Sequence, residues 1–238
     1  MFELSIEGGV ARIVLSRPEA RNAIPLSGWD ALARTLGEVE SARILILSGS
    51  EEAFCAGADL NDFAEMNGDI AAAAAFRHAM RRGLDALAAL PLPTIALVEG
   101  PCYGAGAALA LACDLRLAGP CARFAVTPAK MGISYPQEDV FRLVARVGPG
   151  RAAKLLFTAA AFDGEEAIRI GLADGRADEL QSIVSDLLAN DTASLATLKR
   201  AVGLATLGVQ CDAGQDAEFD ALIASDAFAA RLEARRRR

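Results

Sequence analysis

Phe2, Leu4 and Ile6 alternate with polar residues, Gly8-Gly9 interrupts them, and Val10, Ile13 and Leu15 resume an apolar run. Alternation across a glycine pair predicts an opening β-hairpin. A polar, proline-bounded loop runs from Arg17 to Pro25, after which Ser27 is placed to cap a helix with Trp29, Leu32, Leu36 and Val39 at helical spacing. Ile44 to Leu47 is a continuous apolar run, as expected of a parallel strand covered on both faces. A loop over 48–58 leads to an Ala-rich helix over roughly 69–90, stopped by Pro91 and Pro93.

The pattern then repeats. Thr94 to Val98 reads as a buried strand, a glycine-rich turn follows, and Leu109-Ala110-Leu111 continues as an apolar helix. Leu115 to Leu117 and Phe124 to Val126 read as further strands, and helices dominate from about 136. This order predicts an α/β core. Beyond 178 the pattern is helical throughout, with Asp178, Asp191 and Asp212 as expected caps. The expected division is a core over 1–178 and a helical C-terminal region over 179–238.

Charge and composition narrow the chemistry. The chain of 238 residues has a net charge of −7, and its last ten residues hold five arginines against Glu233, so the body is more acidic still. An acidic body repels a phosphate backbone and argues against nucleic-acid binding. One histidine, His78, leaves no His-rich metal site, and among Arg77, Arg81 and Arg82 it reads as a solvated helix residue. Cysteines at 55, 102, 113, 121 and 211 form no CxxC pair and read as small buried hydrophobes in a reducing cytoplasm. Neither a signal peptide nor an apolar run of membrane-spanning length is expected, since Glu99 interrupts the best candidate.

Two loops after buried strands carry the candidate chemistry: Ala53 to Leu60, and Gly100 to Leu109. Each puts small residues where a strand hands over to a helix, leaving backbone N–H groups free to face a cleft. Two such donors on one oxygen make an oxyanion hole for a thioester enolate or a tetrahedral intermediate. Tight turns and close helix–sheet packing account for the same glycines without any chemistry. A dinucleotide fingerprint is the weaker rival, because Gly104-Ala105-Gly106 lacks the third glycine.

Phe54 to Leu60, Gly100 to Leu115, Arg17-Pro18 with Asn22-Ala23, Phe124 to Gly132, Arg142-Leu143 with Val147-Gly148, and Leu155 to Thr158 together resemble the enoyl-CoA hydratase/isomerase (crotonase) superfamily. So does the ending over Phe219 to Arg231, and the likeness covers nearly the whole chain in order. The resemblance implies an α/β crotonase (ClpP-like) spiral of ββα units, a C-terminal trimerisation region giving a homotrimer or homohexamer, and acyl-CoA as substrate with no further cofactor. It implies oxyanion donors at the N–H groups of Ala58 and Ala105, with Ala56, Gly57, Ala58, Asp59 and Leu60 against the CoA.

One departure changes the expected chemistry. Where hydratases of the family carry two glutamates, this chain has Ala108 and Ala129. Hydration needs one group to activate water and another to protonate carbon, and a methyl group does neither. By the resemblance Asp59 shapes a helix start. Tyr135 matches a tyrosine of methylmalonyl-CoA decarboxylases, and Glu138 lies within a few positions of catalytic carboxylates of dienoyl-CoA isomerases and haloaroyl-CoA dehalogenases. Lys199, Arg235 and Arg238 are candidates for a CoA phosphate. The expected function is enolate chemistry on acyl-CoA (isomerisation, decarboxylation or thioester hydrolysis) without ordinary hydration, the alternative being a non-catalytic acyl-CoA-binding protein.

Overall fold

The computed structural model describes residues 1–237. The opening alternation closes into a hairpin of β1 (Phe2–Glu7) and β2 (Val10–Leu15), with Phe2 opposite Leu15. The chain continues through α1 (Leu26–Leu36), β3 (Ile44–Gly49), α2 (Leu60–Glu65), α3 (Ile70–Ala88), β4 (Thr94–Val98), β5 (Pro101–Tyr103) and α4 (Ala105–Ala112). Next come β6 (Leu115–Ala118), β7 (Arg123–Ala125), α5 (Gln137–Val147), α6 (Pro149–Thr158), β8 (Phe162–Asp163), α7 (Gly164–Ile170) and β9 (Gly175–Arg176). Four helices end the chain: α8 (Leu180–Ala189), α9 (Thr192–Thr206), α10 (Ala213–Ile223) and α11 (Asp226–Arg236).

The larger sheet has the order β1-β2-β3-β4-β6-β9, parallel from β2 onward, and β5-β7-β8 form a smaller sheet. The apolar run of β3 is continuous because both of its faces are covered. Leu45 and Leu47 pack with Ala11, Ile13, Trp29 and Leu84 on the side of α1 and α3, whereas Ile44 and Ile46 pack with Val10, Ile95, Leu117 and Val184 on the side of α8. Gly83 lets α3 lie close on α1, since a Cβ there would sit 3.0 Å from the Trp29 carbonyl oxygen. No helix among the described residues is long and apolar enough to cross a membrane.

Several local expectations need correction. The first helix begins at Leu26, so Ser27 lies inside it; the Leu26 N–H is capped from α2 by the Asp62 carboxylate at 2.5 Å. Asp178 sits within a 3-10 turn, and Glu179, not Asp178, accepts from the Arg176 N–H. Asp191 and Asp212 do cap α9 and α10. Cys55, Cys102 and Cys113 are buried, but Cys121 and Cys211 are exposed. The stretch read as one glycine turn contains β5, which pairs in parallel with β7.

Candidate active site

The first turn is shaped from behind by Asn22. Its side chain is fully buried, its backbone is left-handed at φ 59, and its Nδ2 donates to the Ser50 and Ala53 carbonyls at 3.0 and 2.7 Å. Its Oδ1 accepts from the Arg17 N–H. The Ala56 N–H donates to the Arg21 carbonyl, the Ile24 N–H to the Gly57 carbonyl, and the Asp59 N–H to the Ile24 carbonyl. These bonds satisfy the groups on either side of Ala58 and leave its own N–H with no acceptor among the described residues.

The second turn reverses at Gly104, whose φ of 50 and ψ of −116 belong to the mirror-image region open to glycine. Its N–H donates to the Ala125 carbonyl, and Ala105 opens α4. First-turn N–H groups have no intrahelical partner, and that of Ala105 has no acceptor elsewhere among the described residues. The two turns are zipped together by the Cys55 N–H on the Pro101 carbonyl and the Tyr103 N–H on the Cys55 carbonyl. Gly57 sits at the join with φ +116, where a Cβ would lie 3.0 Å from the Tyr103 carbonyl oxygen and 3.6 Å from the Ala105 nitrogen.

Both turns open on one cavity of about 830 Å³. Phe63, Phe76, Met80, Met131 and Ile133 give it an apolar wall, and the exposed cations Arg21, Arg77 and Lys130 line it as well. Asp59 is its one carboxylate among the described residues. That carboxylate is committed: it accepts from the Asn61 N–H as the cap of α2 and from Arg17 at 2.5 Å. The Asn61 bond and the Arg17 guanidinium hold its pKa below the usual carboxylate range. The arrangement suits a ligand with an apolar chain, a polarisable carbonyl and an anionic end.

Ala56, Gly57, Ala58, Asp59, Leu60 and Ala105 all line this cavity. Tyr135 lines it too, but its ring is buried and its hydroxyl donates to the Gly104 carbonyl at 2.9 Å. Burial, with the Asp139 charge nearby, pushes that hydroxyl well above its ordinary pKa. Glu138, expected at the pocket, is not among its lining; its side chain is half exposed, with its carboxylate 3.9 Å from Arg81. The adjacent Asp139 is the buried one, 2.9 Å from Arg81 and 3.5 Å from Arg142, because α5 turns it toward α3. Ala108 is buried within α4 and Ala129 is exposed, and neither lines the cavity.

Lys199 is spent elsewhere, bonding Asp114 at 2.8 Å and the Leu92 carbonyl at 3.0 Å, so it ties α9 to the core. Arg235 lies on α11 away from the cavity lining, and Arg238 falls outside the described residues. His78 is exposed beside Arg77, as expected. Burial pushes the thiol of Cys55, within the first turn, up to a pKa of about 12. Sequence reasoning missed Tyr103, Arg21, Arg77 and Lys130 at the cavity. Lys130 follows Pro128 in a stretch already singled out, and the spacing of Arg77 with Phe76 and Met80 was its available signal.

A parallel α/β sheet, a second small sheet and C-terminal helices, with two strand–glycine–helix turns facing one apolar cavity, define a protein of the crotonase fold. The enoyl-CoA hydratase/isomerase family profile matches residues 5–210, and the chain belongs to that family. It is 36% identical over 173 residues to "Probable enoyl-CoA hydratase EchA17" of Mycobacterium tuberculosis; the match spans 71% of this chain and 65% of that relative. An enoyl-CoA hydratase/isomerase family protein from Hyphomonas neptunium superposes with a TM-score of 0.93 at 32% identity, covering 98% of this chain and 93% of that one. An enoyl-CoA hydratase/carnithine racemase from Magnetospirillum magneticum gives 0.91 at 27% identity, covering 99% and 92%.

Proposed function

We propose that the protein processes CoA thioesters of apolar acyl groups, using the N–H groups of Ala58 and Ala105 as an oxyanion hole, and that it lacks ordinary hydratase activity. The observation that carries this reading is the pair of N–H groups without an acceptor among the described residues, on two interlocked turns beside one apolar cavity. A thioester oxygen between them would be polarised, which acidifies the α-carbon and stabilises an enolate. Arg21, Arg77 and Lys130 supply positive charge for the phosphates of the coenzyme.

Enolate chemistry still needs a proton to move. Isomerisation, decarboxylation and thioester hydrolysis all use the same oxyanion hole and differ in that step. Asp59 is bound to Arg17 and Tyr135 to Gly104, and these commitments favour a second reading, an acyl-CoA-binding protein without turnover. Tyr103, which also lines the cavity, favours the enzymatic reading as a hydroxyl-bearing side chain at the site. We read residues 179–238 as the trimerisation region of a cytoplasmic homotrimer or homohexamer. The exposed Leu198, Val202, Phe219 and Ile223 on α9 and α10 support this, and its test is the mass in solution.

A mass-spectrometric screen of a CoA-thioester panel with the purified protein separates the two readings: an enzyme consumes at least one thioester, a binding protein holds them unchanged. Ala105→Pro then tests the oxyanion hole. Proline is well tolerated at the first position of a helix, so the fold survives while one donor is deleted. Loss of one such donor costs ~2.7–4 kcal/mol of barrier lowering, a fall of roughly 100–1000-fold in kcat. A variant that reacts and binds like wild type contradicts the assignment.

A further inference from the structure

The Gly104–Ala105 peptide has two ends, and the molecule uses both. Its N–H, carried by Ala105 at the cavity, has no acceptor among the described residues. Its C=O, carried by Gly104, accepts two bonds: the Ala108 N–H at 3.1 Å and the Tyr135 hydroxyl at 2.9 Å. Hydrogen bonds through one amide polarise each other, because drawing electron density onto the oxygen leaves the N–H a stronger donor.

We infer that Tyr135 is a positioning residue for the oxyanion hole, its hydroxyl fixing and polarising the Gly104–Ala105 peptide so that the Ala105 N–H faces the thioester oxygen as a strengthened donor. This rests on the oxyanion reading above and assigns Tyr135 a different task from proton transfer. The geometry leaves little else for that hydroxyl to do, since its proton is committed to a backbone carbonyl inside the fold. A fixing device is needed at this place. Gly104 is in a glycine-only conformation before α4, and it has no side chain with which to hold its own peptide. The ring of Tyr135 also lines the cavity, so one residue both walls the site and braces its donor. Burial keeps the hydroxyl protonated, as a permanent donor must be.

The test reads the donor without turnover. A cinnamoyl thioester of CoA carries a chromophore conjugated to its carbonyl, and its absorption moves to longer wavelength as that carbonyl is polarised. Wild type is expected to red-shift the bound thioester, and Tyr135→Phe to retain the affinity for free CoA while losing ~10–30% of the shift, the share one cooperative bond contributes. Should Tyr135→Phe fold poorly, protein in which fluorotyrosine replaces tyrosine gives the opposite arm. The chain has two tyrosines, and in a Tyr103→Phe background only position 135 is labelled, with the unlabelled Tyr103→Phe protein as the reference for the shift. A fluorinated hydroxyl is a stronger donor and should enlarge the shift. Equal shifts in wild type and Tyr135→Phe, or no enlargement with fluorotyrosine, overturn the inference. Absence of any shift in wild type instead removes the oxyanion reading beneath it.

Discussion

The proposal that ordinary hydration is absent turns on Ala108 and Ala129, whose methyl groups neither activate water nor protonate carbon. The cavity's single carboxylate among the described residues, Asp59, is held by Arg17 and by a helix start. Glu138 is the instructive case. Its position after Pro136 is readable from sequence, but the face of α5 it occupies is not; helical rotation buries Asp139 against Arg81 and turns Glu138 outward. Glu138→Gln is therefore expected to change kcat on any reactive thioester by less than tenfold, under about 1.4 kcal/mol. A loss of several hundredfold, measured on the thioester found in the panel, would return it to the chemistry.

At the level of elements, what was legible followed from period and length. The alternation of Phe2, Leu4 and Ile6 spans β1, the unbroken run Ile44–Leu47 makes up the buried part of β3, and Thr94–Val98 is the whole of β4, so local pattern and tertiary role agree. Strands β5, β8 and β9 have two or three residues each and exist through pairing partners distant in sequence, which no local window contains. The two turns were legible as glycine patterns. The device that shapes the first of them, Asn22 reaching to Ser50 and Ala53, became visible only with the chain folded.

Asp59 links element to stability. Its carboxylate accepts from the Asn61 N–H and from Arg17, and both lower its pKa. A carboxyl with a depressed folded pKa adds stability above its unfolded value near ~4, and that stability is lost as pH falls through the folded value. Asn caps a helix nearly as well as Asp, so Asp59→Asn removes mainly the charge, at a cost of about 1 kcal/mol at neutral pH for this partly exposed pair. Urea denaturation at several pH values is expected to show the gap between variant and wild type closing on the acid side. A gap of constant size would mean that the charge contributes nothing.

For the whole molecule, the sheet serves as a platform that delivers two turns to one place. Strands β3 and β4 are parallel neighbours, so the loops that follow them leave at the same edge, and the backbones of Cys55 and Cys102 pair in parallel where the turns meet. Parallel register thereby converts two separated sequence motifs into one pair of donors. The helices on either side leave an apolar cavity of about 830 Å³ beside those donors, enough for an acyl chain. Helices α9 to α11 carry apolar side chains that this chain alone leaves exposed, and they account for the proposed assembly without contributing to the lining of the cavity.

The central claim joins an intact oxyanion hole to a missing hydratase pair, so one sample must report both. Wild-type protein mixed with crotonyl-CoA is followed by calorimetry for binding and by mass spectrometry for uptake of water. Each acid/base group contributes ~10²–10⁴-fold, and loss of both leaves hydration ~10⁴-fold or more below a hydratase. The account predicts saturable binding of crotonyl-CoA with hydration at background. Rapid formation of the hydrated thioester, or no binding at all, would contradict it.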